Sequence, residues 1–124
     1  MAIPLSELRY GRLIWAVLKD RNGFRKRRPA VILTPSDQIT TTEPFVVAAV
    51  TTTFGSPPPP GHVELPWNPD PRRVSTRLAQ RRAAVVSWLE TLYADEVEEA
   101  KGDVPRRTME RIQAALRLLE EQSE

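Results

Sequence analysis

The sequence predicts a mainly β fold with helices at its C-terminus, of the α+β class. Apolar β-branched runs recur at residues 11–18, 30–34 and 45–52, each bounded by turn residues, whereas the last quarter of the chain has a helical spacing of apolar residues. The chain has 124 residues, 40% of them hydrophobic, which suits one domain with a core and is too short for two. We therefore expect a single domain over residues 1–124.

The composition excludes several kinds of site. There are no cysteines, so disulfides, thiol catalysis and thiolate metal ligands are ruled out. The single histidine, His62, has no Asp or Glu cluster with ligand spacing around it, so we expect neither a metal nor a cofactor. No apolar run reaches the roughly 18 residues of a membrane span, and Glu7 and Arg9 interrupt the N-terminus where a signal peptide needs an apolar core. A cytoplasmic protein without membrane contact is expected.

The first three predicted strands follow one another closely. Residues 11–18 are apolar on both faces, which predicts a central strand. Asn22-Gly23 predicts a turn, after which a basic loop should lead into the second strand at residues 30–34. The third strand, residues 45–52, ends in threonines.

The junction of the second and third strands is the candidate site. If the two strands are antiparallel neighbours, the start of one lies beside the end of the other, which places Arg28 near Thr51. A guanidinium beside a hydroxyl is suited to a phosphate group.

The middle of the chain alternates loops and short strands. The proline-rich residues 55–61 predict an exposed loop, either a spacer or a polyproline ligand, because prolines lack the N–H of a sheet ladder. Residues 62–65 alternate as a short strand. Residues 72–82 hold five arginines and no acid, which predicts a basic loop, either a solvated face or a phosphate contact, before a strand at residues 83–87. Residues 89–93 suit a further strand or a turn into a helix.

The last quarter predicts two helices. Asp95 and Glu98 resemble a capping box and Gly102 suits a helix end, so a short helix is expected over residues 95–101. A second helix should begin at Pro105 and run to about Glu121. Its apolar stripe consists of Met109, Ile112, Leu116 and Leu119 and suits packing against the sheet or a partner contact.

The positive charge is concentrated in the first half of the chain. Residues 1–62 carry eight Lys or Arg against four Asp or Glu, whereas residues 63–124 carry ten against twelve. A mildly basic half attracts polyanions or is simply a solvated surface.

Six segments in order resemble the MazF/PemK family of toxin endoribonucleases from type II toxin-antitoxin systems. They are residues 11–17, 28–33, 46–51, 61–65 and 83–85, and the Gly102 break followed by the Met109 helix. Members are similar in having a small SH3-like β-barrel with helices at its side, usually as a homodimer. The resemblance thus implies a PemK/CcdB-like barrel with a short helix and a C-terminal amphipathic helix.

The resemblance also implies a catalytic pair. In the family an Arg before the Pro of the second strand and a Thr closing the third strand cleave RNA, and these positions are Arg28 and Thr51. The implied reaction is metal-independent, sequence-selective cleavage of single-stranded mRNA to 2′,3′-cyclic phosphate and 5′-hydroxyl ends, which inhibits translation and growth until a cognate antitoxin binds. Which group removes the 2′ proton stays open. The residues expected to bind RNA are Arg21, Arg25, Lys26, Arg27, Thr53, Arg77 and Arg81.

This chain departs from the family pattern at three places. Arg12 stands where an acid usually follows the first-strand glycine, and Arg77 stands where a glycine is frequent. The tetraproline loop is the third departure. These differences affect the charge of the substrate groove and one local turn, and neither arginine belongs to the catalytic pair.

Two other functions fit the same fold. One is a non-catalytic, CcdB-like gyrase poison acting through its C-terminal helix; against it, this chain has no Trp after Trp88 and keeps the Arg-Pro and Thr segments. The other is a catalytically silent barrel that binds RNA or protein.

Overall fold

A six-stranded antiparallel sheet and one α-helix make up the described part of the chain, residues 3–20, 22–52 and 55–122 of a computed structural model. The strands are β1 (Arg12–Lys19), β2 (Arg25–Ile32), β3 (Phe45–Thr51), β4 (His62–Leu65), β5 (Arg82–Leu92) and β6 (Glu99–Asp103), and the helix is α1 (Arg106–Gln122). This confirms the predicted mainly β, α+β fold. No helix in these three ranges is long and apolar enough to cross a membrane.

The strand order across the sheet is β4-β5-β3-β2-β1-β6. The expected barrel is not closed, because β4 and β6 are the two edges and the described residues form no ladder between them. A loop lies at the outer side of β6 instead: the Asp103 N–H donates to the Ser75 carbonyl at 2.8 Å. That bond uses a backbone group with which β6 could otherwise pair to another strand.

The two faces of the sheet each carry an apolar cluster, because successive side chains of a strand point to opposite faces. The first, which includes Leu13, Val31, Val50, Val86 and Ile112, lies on the helix side. The second, which includes Ile14, Ala30, Phe45, Val47 and Ala49, lies on the other side. The candidate site belongs to this second face.

Helix α1 packs on β4 and β5 with the first half of its predicted stripe. Met109 and Ile112 are buried, Leu116 is half-buried, and Leu119 is exposed. Packing against the sheet therefore accounts for the stripe up to Leu116.

The predicted helix over residues 95–101 is wrong. The segment forms one 3-10 turn, Ala94–Glu96, followed by strand β6. The Glu96 carboxylate accepts a hydrogen bond from the Tyr93 N–H at 2.8 Å, so a capping interaction exists, but it closes only this turn. Pairing of β6 with β1, with Ala100 opposite Ile14, prevails over the local helix signal.

The predicted basic loop before the second strand is also wrong. β2 begins at Arg25, and its first residues pair with the end of β1: Arg25 with Lys19 and Arg27 with Val17. The turn at Gly23, with φ of +87°, is as predicted. Because this turn is tight, the ladder continues through the basic residues and leaves no loop between them and the apolar run.

Residues 83–87 and 89–93, expected to be separate elements, belong mostly to one strand, β5. Its pairing with β3 shifts register between Ala48 and Val50, which is a β-bulge. The strand alternative for residues 89–93 is confirmed as far as Leu92. Residues 55–61 lie outside every strand and helix and are exposed or half-buried, which confirms the predicted loop.

Candidate active site

Arg28 and Thr51 lie at the same end of neighbouring strands. In the β2–β3 ladder Ala30 is opposite Ala49, and the strands are antiparallel. Arg28 lies two residues before Ala30 and Thr51 two residues after Ala49, so both lie just beyond the same end of the paired stretch, on the second face. The neighbouring, antiparallel arrangement on which their proximity was predicted is therefore present.

The Arg28 side chain is held by an aromatic ring and a carboxylate. Its guanidinium carbon lies 5.1 Å from the centre of the Trp88 ring, and a terminal nitrogen lies 4.0 Å from an Asp20 carboxylate oxygen. A cation over an indole face is attracted by about 0.5–2 kcal/mol. The Arg28 Nε is buried and has no hydrogen-bond partner among the described residues. The group is oriented, and one of its donors remains unpaired.

A cavity of about 460 Å³ lies beside Thr51 and Trp88, and Arg28 reaches its edge only through its contacts with Trp88 and Asp20. Thr51, His62 and Trp88 line it together with three charged side chains, Lys19, Asp20 and Glu90. Its volume falls within the roughly 300–1,000 Å³ of typical ligand sites. A group bound in this cavity would contact Thr51, at the end of β3, and Trp88, whose ring lies next to the Arg28 guanidinium.

His62, for which the sequence indicates no metal-binding partners, lines this cavity. It begins β4, opposite Val85 of β5, and its Nδ1 is buried without a hydrogen-bond partner among the described residues. No sequence signal places a lone histidine near Thr51. No sequence signal places Trp88 next to Arg28 either, because their contact depends on the order of strands in the sheet.

The basic residues of β2 divide between the two faces. Arg25 and Lys26 are exposed. Arg27 donates hydrogen bonds of 2.9 Å to both Glu98 and Glu99 and lies over Trp15 on the face opposite Arg28. The bond to Glu99 is the main reason that the pKa of Arg27 is raised, and the bond to Glu98 adds to it. Arg27 is therefore charged and engaged with β6 and the residue before it.

The arginines before β5 occupy two different places. Arg81 donates to both carboxylate oxygens of Glu64 at 3.1 Å and lies two residues before Ala83, which is opposite Thr51. Arg77, with φ of +60°, donates to the Arg72 carbonyl, and its loop is bonded to β6 through Ser75. Arg77 does not line the cavity described above. The predicted RNA-binding residues Arg21 and Thr53 lie outside the described residues.

Arg12, one of the departures from the family pattern, is a buried guanidinium paired with two partly exposed carboxylates. It is 9% exposed and donates to Asp103 at 3.0 Å, Glu7 at 2.7 Å and the Ala100 carbonyl at 3.3 Å. A buried guanidinium needs such partners. Its contacts join the N-terminal segment to β6 and do not involve the cavity.

The chemistry available at the cavity is that of phosphates and proton transfer. A guanidinium fork and a hydroxyl stabilise added charge on phosphoryl oxygens, and an imidazole exchanges protons near neutral pH. Within residues 3–20, 22–52 and 55–122, no cluster of three His, Asp or Glu side chains could hold a metal ion.

The fold and this site define a class of protein. The model of the PemK-like, MazF-like toxins of type II toxin-antitoxin systems matches residues 9–119. This match spans most of the chain, so the protein belongs to that family.

Several solved structures have a similar fold. MazF from Deinococcus radiodurans (Form-I) superposes with a TM-score of 0.69 at 20% identity, covering 90% of this chain and 94% of that one. MazE-MazF from the same organism (Form-III) gives 0.66 at 19%, with the same coverage. An endoribonuclease in complex with its cognate antitoxin from Mycobacterial species gives 0.64 at 23%, covering 88% and 90%. No curated protein matches the chain significantly.

Proposed function

We propose that this chain is the toxin of a type II toxin-antitoxin pair and a metal-independent endoribonuclease that cleaves single-stranded RNA. The observation that carries the proposal is the position of Arg28 and Thr51 at one end of antiparallel neighbouring strands, beside a cavity that Thr51 lines. Family membership supports the same function, because RNA cleavage is general among MazF-like toxins.

The reaction follows from the two side chains. The RNA 2′-oxygen attacks the adjacent phosphorus, the P–O5′ bond breaks, and the products are a 2′,3′-cyclic phosphate and a 5′-hydroxyl. Negative charge increases on the phosphoryl oxygens in the transition state. The Arg28 fork can donate two parallel hydrogen bonds to those oxygens, and the Thr51 hydroxyl can donate a third. No metal is required for this stabilisation.

The surroundings of Arg28 support this role. The guanidinium carbon lies 5.1 Å from the Trp88 ring centre and a terminal nitrogen lies 4.0 Å from an Asp20 oxygen, and both contacts favour this placement of the side chain before RNA binds. Pre-orientation reduces the entropy that must be lost on reaching the transition state.

RNA would approach along exposed basic side chains. Arg25 and Lys26 precede Arg28 on β2 and are exposed, so they can contact phosphates on one side of the cleaved bond. Contacts of this kind add affinity without reading the sequence. The selectivity for an RNA sequence, expected from the family, would come from the cavity walls.

The partners follow from the same family. A cognate antitoxin would bind and neutralise the toxin, and two of the similar structures are complexes with an antitoxin or MazE. The toxin would act on mRNA in the cytoplasm as a homodimer.

The test is cleavage of a mixed RNA pool in EDTA, with the new 5′ ends mapped and the Arg28→Ala variant as a matched control. We expect cuts at a shared short sequence, 5′-hydroxyl ends, and intact RNA with the variant. Intact RNA with the parent chain contradicts the proposal. A parallel gyrase supercoiling assay identifies the CcdB-like alternative, which predicts inhibition of supercoiling without RNA cuts.

A further inference from the structure

His62 is a titratable side chain of the cavity to which no role has been given. Its imidazole lines the same cavity as Thr51, and its Nδ1 is buried without a hydrogen-bond partner among the described residues. An unpaired buried polar atom costs about 1–3 kcal/mol of stability. An apolar side chain at this position would avoid that loss, so the imidazole calls for an explanation other than folding.

We propose that His62 accepts the proton of the RNA 2′-hydroxyl and is thus the general base of the cleavage reaction. This inference rests on the proposed ribonuclease function. An imidazole suits the task because it changes charge near neutral pH and can accept a proton from a bound hydroxyl.

The register places His62 within reach of a phosphodiester held by Thr51. Thr51 is opposite Ala83 and His62 is opposite Val85, so the two residues flank β5 with an offset of two residues. With strands spaced about 4.8 Å and residues about 3.3 Å, their backbones are roughly 12 Å apart. Since both side chains reach the same cavity, one phosphodiester group fits between them.

The two carboxylates of the cavity are weaker candidates for this proton. One oxygen of Asp20 accepts the N–H groups of Asn22 and Phe24, at 2.9 and 3.0 Å, and the other lies 4.0 Å from Arg28. A carboxylate with these contacts holds the turn and the guanidinium. The Glu90 backbone lies about as far from Thr51 as that of His62, and Glu90 is the weaker candidate because an imidazole is better matched than a carboxylate to accept a proton near neutral pH.

The proton balance closes without a further reagent. The O2′–P bond forms as the 2′ proton passes to the His62 imidazole, and the P–O5′ bond breaks. Water in the open cavity protonates the departing 5′-oxygen, and the imidazolium returns its proton to the hydroxide so produced. Lys19, Asp20 and Glu90 are the charged groups that share the cavity with His62.

The test is single-turnover cleavage at saturating RNA between about pH 5 and pH 8. His62→Gln and His62→Asn each place an amide where one ring nitrogen lies, and neither can accept the proton. We expect both to lose about 10²–10⁴-fold in rate, to lose the fall in rate toward acid pH, and to bind RNA normally. Thr91→Ala, an exposed position on β5 that does not line the cavity, should keep the parent rate and profile.

A second measurement separates proton transfer from a structural role. Free imidazole should restore cleavage by a His62→Gly variant with circular dichroism like that of the parent, since the added base can occupy the vacated space. Parent-like rates in both amide variants, or no rescue in the folded glycine variant, would overturn the inference. If the parent cleaves RNA and Arg28→Ala does not, either of these outcomes contradicts only the role of His62, and the proposed ribonuclease function stands. If the parent leaves RNA intact, the proposed function is wrong and the inference about His62 fails with it.

Discussion

The Arg28 guanidinium lies over the Trp88 indole, 5.1 Å from the ring centre, although 60 residues of chain separate the two positions. The ring attracts the guanidinium, and an Asp20 carboxylate oxygen lies 4.0 Å from one of its terminal nitrogens. Arg28 is therefore an oriented donor fork, in contrast to the exposed Arg25 on the same strand. Substitutions at Arg28 should therefore test the shape of the guanidinium as well as its charge.

Arg28→Ala is expected to abolish cleavage while the fold survives, because the buried apolar residues Val31 and Ile32 secure β2 in the core. Arg28→Lys should restore little, since lysine lacks the planar fork, and we expect a loss on the order of 2–4 kcal/mol of transition-state stabilisation. Single-turnover cleavage with circular dichroism measures both. Arg25→Ala is the matched control and should keep its rate at saturating RNA. A folded Arg28→Ala protein that cuts at the parent rate contradicts the assignment.

Thr51→Ala should reduce cleavage less than Arg28→Ala, because the hydroxyl is a neutral donor. Thr51→Ser keeps the hydroxyl and should retain most of the activity. The double variant with Arg28→Ala should lose less than the sum of the two single losses, since both groups act on one transition state. Thr91→Ala, an exposed threonine on β5, is the control and should be silent. Additive losses would show that the two residues act in separate steps.

Arg25→Ala combined with Lys26→Ala should weaken RNA binding and leave saturated cleavage nearly unchanged. Arg27 is kept, because its bonds to Glu98 and Glu99 make its removal a change in stability as well. The slope of log affinity against log salt should fall by about one for each lost phosphate contact.

The matched control for this charge change is Arg107→Ala with Arg111→Ala. Both residues are exposed on α1, which packs on the face opposite the site. Equal losses of affinity in the two double variants would show a nonspecific effect of net charge.

Gly102→Ala should destabilise the protein on the order of 3 kcal/mol, through left-handed strain and overpacking together. Its φ is +90°, and an added Cβ would overlap the Thr76 backbone. Gly23→Ala is a matched control, since its φ is +87° but the nearest atom to an added Cβ is 3.8 Å away, on the Lys19 side chain. Gly23→Ala should lower the free energy of unfolding only through the left-handed strain, by about 1–2 kcal/mol. Urea unfolding compares the two, and equal losses would exclude the contact with Thr76.

Much of the fold could be predicted from local patterns. The strands at residues 11–18, 45–52 and 62–65 and the helix after Pro105 follow from apolar spacing and turn residues, and each is present within one residue at its start. The predictions failed where a distant segment decides the structure. Residues 95–101 carry a helix signal, yet pairing with β1 makes the last three of them part of a strand.

The candidate site divides in the same way. Arg28 and Thr51 could be selected because each lies at the end of an apolar run, and two neighbouring antiparallel strands bring such ends together. Trp88 and His62 could not be selected, since they reach the cavity only through the order β4-β5-β3-β2. That order depends on which apolar faces pack together.

The sequence by itself determined the mainly β class, the apolar helix face and the pair of polar residues at two strand ends, because these depend on spacing along the chain. Only the tertiary structure decided that the basic residues before Arg28 form a strand, that the sheet has two edges, and that Trp88 and His62 adjoin the pair. The physical reason is that hydrogen-bonded pairing and burial between distant segments outweigh the smaller free energies of local preference.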